Sequence, residues 1–205
     1  SWESPNWVKH CPGNSKSFVD CGDTGLSISD LALSPNFVGS FKEPIDGKTI
    51  GPKGELFAAT SDGLLRTGDS LTSWIQCGAS PLNSNVLSVE LAADFGNFGQ
   101  NNKNIFWKNM LLVGVSGGPG VFRLVGDPGE PICDAKWQYG HGLPPNSEVI
   151  SLAVSPNQWD DKLVFAGTRN HGLFYSDDHG GKWKPVEVSE GFWGVHDFTN
   201  DPIFD

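Results

Sequence analysis

Three stretches of this chain repeat one another in order, which restricts the fold to architectures that stack copies of one strand-sized unit. Residues 56–74, LFAATSDGLLRTGDSLTSW, align with residues 164–183, VFAGTRNHGLFYSDDHGGKW. Phe57 falls on Phe165, Thr60 on Thr168, Gly63 on Gly172 and Trp74 on Trp183. Residues 112–137, LVGVSGGPGVFRLVGDPGEPICDAKW, are a third copy with an insertion before Trp137. Each copy is preceded by a second recurring phrase: LALSPNF at 31–37, VELAADF at 89–95 and LAVSPNQ at 152–158. The unit is therefore an apolar strand ending in a turn, two further strands, and a fourth strand opened by Trp.

With 26 Gly and 14 Pro, the apolar runs are short and bounded by turn residues, the pattern of antiparallel hairpins. One four-stranded sheet cannot bury both of its faces. Radial stacking of such sheets into a β-propeller does so and leaves only short, protected edges. The expected fold class is all-β, a single propeller portion with complete blades at about 27–79, 86–140 and 148–188. Residues 1–26 and 189–205 are expected to hold partial-blade strands: NWVKHC reads as a last strand and WGVHDFTNDPIFD as a first one. Three blades fall short of the roughly four to eight that close a ring. A longer propeller is expected, ahead of a ring completed by other chains.

Ser176, Asp178, Gly180 and Trp183 fit S-x-D-x-G-x-x-W. This resembles the Asp-box (BNR) repeat of sialidase-like, sortilin-like and xyloglucanase-like propellers and of photosystem assembly factors. The resemblance implies a hairpin turn between the third and fourth strands of a blade, in which the Asp caps amides, the Gly takes a positive φ and the Trp wedges between blades. The other copies are decayed. The first keeps Asp69 and Trp74 but has Leu71 at the Gly position; the second keeps Asp127 and Gly129 and separates them from Trp137. Such a box identifies a fold shared by many activities.

A net charge of −10 and the lack of a basic stripe argue against nucleic-acid binding. No apolar run approaches the roughly 20 residues of a membrane helix. The chain opens at Ser1 without a signal-peptide pattern, as expected of a processed, trimmed or partial product. Cys11, Cys21, Cys77 and Cys133 have no C-x-x-C spacing, which disfavours zinc and redox motifs. Disulfides Cys11–Cys21 and Cys77–Cys133 are the expected pairing, although four cysteines allow three connectivities. Bridged cysteines imply an extracellular or cell-surface location.

No catalytic set, metal or cofactor is assigned. The three arginines, Arg66, Arg123 and Arg169, match the number a sialidase needs, but Arg66 and Arg123 occupy one repeat position on an outer strand. Asp30, Glu90 and Asp197 lie on or beside expected innermost strands, and only their spatial separation would tell a glycosidase pair from structural groups. The five histidines are scattered over turns. Insertions at 38–54 and 96–109 fall at the same blade corner, and repeats often bind through such loops. Phe98, Phe106 and Trp107, set among Asn, Gln and Lys, are the candidate recognition residues for a protein or glycan partner. The expected function is a non-enzymatic binding or scaffolding module, with self-association or further blades completing it. The rival is a glycoside hydrolase with catalytic residues partly outside the chain.

Overall fold

The computed structural model describes residues 27–35, 37, 41–42, 49–50, 54–68, 74–77, 85–93, 95, 109–126 and 132–187. Among them, fourteen β-strands and one short helix follow in chain order. The first sheet runs β1 (Ile28–Leu33), β4 (Leu56–Thr60), β5 (Gly63–Thr67) and β6 (Ile75–Gln76). The second runs β7 (Val86–Leu91), β8 (Met110–Val115), β9 (Val121–Val125) and β10 (Trp137–Tyr139). The third runs β11 (Val149–Val154), β12 (Val164–Thr168), β13 (Gly172–Ser176) and β14 (Lys184–Pro185). Every neighbouring pair is antiparallel. The fold is all-β, built from three four-stranded sheets in sequence order.

The register makes the repeat quantitative. Ile28 pairs with Thr60, Val86 with Val115 and Val149 with Thr168, and each inner strand then shifts register before its next pair. After that shared bulge come Asp30 opposite Ala59, Ser88 opposite Gly114 and Ser151 opposite Gly167. A β-bulge kinks its strand and re-aims the following side chain. The hairpin between second and third strands is closed alike in two copies, the Thr60 hydroxyl donating to Gly63 O at 2.8 Å and Thr168 to Gly172 O at 2.7 Å.

The core lies between sheets. β7 packs against β1 and β4 on one side and β11 on the other, and β11 also meets β8. All six residues of β8 are buried. Phe57 and Phe95 meet edge-to-face across the first junction, centroids 5.8 Å apart. Cys77, at the end of the first sheet, is disulfide-bonded to Cys133, in a 3₁₀ turn at Ile132–Asp134 just before β10. Cys11 and Cys21 lie outside the described residues.

Two features differ from the strand-and-turn reading. The Ser-Pro-Asn turn after β11 continues into a helical turn, α1 (Gln158–Asp161), where the Ser155 hydroxyl accepts from Asn157 N–H and donates to Asp161 Oδ2 at 2.6 Å. The insertion of the first sheet contains a two-stranded ladder, β2 (Phe41–Lys42) with β3 (Thr49–Ile50). Both follow from contacts no strand template carries: a local Ser–Asp lock in one, a hairpin inside a loop in the other.

Candidate functional site

The inner strands carry the polar groups that a central site would use. Asp30 is placed by the β1 bulge toward β7, and both its oxygens accept backbone amides: Oδ1 from Leu31 at 2.8 Å and Oδ2 from Val89 at 3.0 Å. Ser88, at the same repeat position, donates to Val149 O on the third sheet at 3.1 Å. The post-bulge residue of one sheet thus ties the inner strand of the next. Charge-assisted bonds of the Asp30 type are the stronger kind.

Glu90 stands beside this strap. Burial and the nearby Asp30 charge raise its carboxyl above the usual carboxylate range, and a hydrogen bond involving Val154 of the third sheet only partly offsets them. Its repeat equivalents are Ala32 and Ala153, so a carboxylate stands at a position that elsewhere holds a methyl group. Asp30 and Glu90 are the carboxylates that the structure brings together; Asp197 lies outside the described residues. Burial that raises a carboxyl's proton affinity is the kind of environment a general acid uses, whereas Asp30 has both oxygens committed to amides.

The turn at 176–183 forms the second constellation. Asp178 Oδ1 accepts the amides of Gly181 and Lys182, each at 2.8 Å, and the Ser176 hydroxyl at 2.7 Å. Gly180 has φ 84°, a conformation that costs a residue with a Cβ. Trp183 is 4% exposed and lies over Gly140 of the second sheet, where any Cβ would overlap the indole. The Trp183 amide donates to His141 O at 2.7 Å, and His141 N–H to Gly181 O at 2.9 Å, so the turn is pinned across the junction. Arg123 completes the pin, its Nη1 donating to the carbonyls of Asp178 and His179, each at 3.1 Å. His179, at φ 60° and 4% exposed, has its imidazole lowered to about 4 by burial and by the Lys162 and Arg123 charges.

The arginines do not converge. Arg66 pairs with Glu55, Arg123 holds the 176–183 turn, and Arg169 pairs with Glu148 at 2.5 Å. Trp74 is partly buried and Trp137 meets Phe122 edge-to-face within its own sheet, at 6.4 Å. Asp69, Asp127, Gly129, Phe98, Phe106 and Trp107 lie outside the described residues. Among the described residues no cluster of three or more His, Cys, Asp or Glu suits a metal ion, and no helix is long and apolar enough to cross a membrane. Sequence reasoning missed the post-bulge position, although Asp30, Ser88 and Ser151 were visible as one polar column through the repeats. It also missed Tyr139, 55% exposed, whose ring stands 4.7 Å from that of His141.

No protein-family model and no curated protein matches the chain. A crystal structure of an ancestral GH74 enzyme is similar at 17% identity and TM-score 0.51, over 80% of this chain and 19% of that one. YCF48 from Cyanidioschyzon merolae matches at 14% identity and TM-score 0.45, over 72% of this chain and 39% of that one. The GH74 xyloglucanase from Xanthomonas campestris matches at 14% identity and TM-score 0.45, over 73% and 23%. The chain spans less than half the length of each. The likeness to the ancestral enzyme is one of fold, a β-propeller.

Proposed function

We propose that this chain is a portion of an Asp-box β-propeller that serves as a rigid binding or scaffolding module outside the cell. The observation that carries the reading is where the inner-strand polar groups go: Asp30 and Ser88 bind the next sheet's backbone, and so stiffen a platform. The connections between first and second strands, 34–55 and 92–109, both leave the platform from the same end of their sheets, whereas the third sheet's connection is the short 155–163. Phe98, Phe106 and Trp107 fall in the second of these. Aromatic faces among amide side chains suit a protein surface or a glycan. The Cys77–Cys133 bridge supports an oxidising compartment.

A glycan and protein binding screen tests this. Trp107→Ala or Phe106→Ala is expected to abolish the interaction found, with no product formed from any bound glycan. Binding indifferent to both substitutions would remove the insertion from the reading.

One observation favours a second reading, a glycoside hydrolase: the half-buried Glu90 with its raised proton affinity beside Asp30. The GH74 likeness is compatible with it. The expected result is that no reducing ends or sialic acid appear on incubation with xyloglucan or sialosides. Turnover that vanishes in Glu90→Gln would instead establish the hydrolase.

A further inference from the structure

Among the described residues, the second face of the third sheet is more exposed than the same face of the other two. Equivalent positions are Phe57, Leu112 and Phe165, and Leu64, Val121 and Leu173. In the first two sheets all four side chains are 0% exposed, whereas Phe165 is 37% and Leu173 46% exposed. The polar column breaks off at the same place: Asp30 and Ser88 each bond the next inner strand, and Ser151 is exposed. The face is built like a blade junction, and one occupant is written in the chain itself.

Cys77, Gly140 and Val186 close equivalent sheets, their amides donating to Leu64 O, Val121 O and Leu173 O. Nine residues after Cys77 stands Val86, and nine after Gly140 stands Val149, each the first residue of the next inner strand and 0% exposed. Nine after Val186 stands Val195. In that frame Asp197 matches Asp30, Phe198 matches Val89, Pro202 matches Pro35 and Pro156, and Phe204 matches Phe95. Asn200 departs, standing where Leu33, Leu91 and Val154 are. The inner strand of a following sheet lies on the first two strands of the preceding one, as β7 does on β1 and β4. Phe95 then reaches back to Phe57, and Gln158, at the equivalent place, is 0% exposed.

We propose that residues 195–204 dock as an inner strand and turn on the exposed face of the third sheet, Ser151 bonding the Val195 carbonyl and Phe204 packing edge-to-face on Phe165. This gives the exposed Phe165 the partner that Phe57 has, and repeats the Ser88 bond to Val149.

Hydroxyl-radical footprinting of the 205-residue chain tests it, with Phe57 as the internal buried reference and sedimentation run in parallel. Phe165 is expected to oxidise as slowly as Phe57 in a monomer. Phe204→Ala is expected to raise Phe165 labelling several-fold and leave Phe57 slow, the internal sign that the fold is intact. Should that variant expose Phe57 as well, Ser151→Ala is the substitute, with a smaller rise confined to Phe165 and Ile150. Fast Phe165 labelling in the unaltered chain overturns the proposal. So does slow labelling that persists in a folded Phe204→Ala monomer, or protection that appears only in a dimer, which would name a second copy as the occupant.

Discussion

His179 occupies a left-handed backbone position, φ 60°, inside the turn that pins the third sheet to the second. Burial disfavours its imidazolium first, Lys162 and Arg123 repel it next, and Asp178 and Asp161 offset only part of this. Its folded value of about 4 lies below the unfolded value near 6.5, so the unfolded state binds the proton more readily. The stabilising preference for the neutral ring is present above pH 6.5 and is lost as pH falls toward 4. The shift corresponds to up to about 3 kcal/mol. Urea midpoints of the native chain are expected to fall across that window, and those of His179→Asn, which tolerates the same φ, to fall less. Equal slopes would assign the acid sensitivity elsewhere. Trp183→Ala is expected to cost roughly 3–5 kcal/mol, the range for a buried aromatic that leaves a cavity. A loss under about 1 kcal/mol, as at an exposed position, would take the indole out of the junction.

At the scale of elements, the junctions are fastened differently, and the difference follows the decay of the repeat. The second junction uses an intact turn, with Trp183 on Gly140 and Arg123 on the carbonyls of the turn. In the second sheet the stretch before Trp137 is longer, and it carries Cys133 to Cys77 on the first sheet. Cys77 and Gly140 are equivalent residues, so a covalent bond stands where the indole rests in the next junction. Cross-linking across a sequence separation of 56 restricts the unfolded chain by about 4 kcal/mol in the loop-entropy account. The double variant Cys77→Ser, Cys133→Ser is expected to lose about that much in guanidinium unfolding. Amide exchange is expected to speed up in β4 and β5 and stay unchanged in β12 and β13. Uniform acceleration would mean that the bridge secures the whole stack rather than one junction.

The element scale also marks how far the residues could be read in advance. Strand order was legible because each strand is a short apolar run bounded by turn residues, and because Thr60 and Thr168 close equivalent hairpins. The shared bulge was not, since a register shift belongs to a pair of strands and leaves no period in either one. Asp30 could therefore be read only as a carboxylate on or beside an innermost strand, catalytic or structural, and it is the pairing that turns it onto the amide of Val89. α1 was hidden because Pro156 signals a turn, and the helical turn depends on the lock between Ser155 and Asp161.

At the largest scale, the three four-stranded sheets of the described residues stand in a row with two end faces. Leu31 and Leu33 are each 56% exposed on the first sheet, where their equivalents Val89 and Leu91 in the second are 2% and 6%. Apolar strand faces left open are association surfaces, and a net charge of −10 opposes association only at long range. The self-association expected of this chain should therefore run through the first sheet, and strengthen with salt as the repulsion is screened. Sedimentation velocity on Leu31→Lys, Leu33→Lys is expected to show a monomer at every salt concentration, with a thermal midpoint close to that of the unaltered chain. A double variant that associates as before would move the contact off this face. A midpoint lowered by many degrees would show that both leucines are already covered within the monomer, since charges placed in a packed junction destabilise it severely.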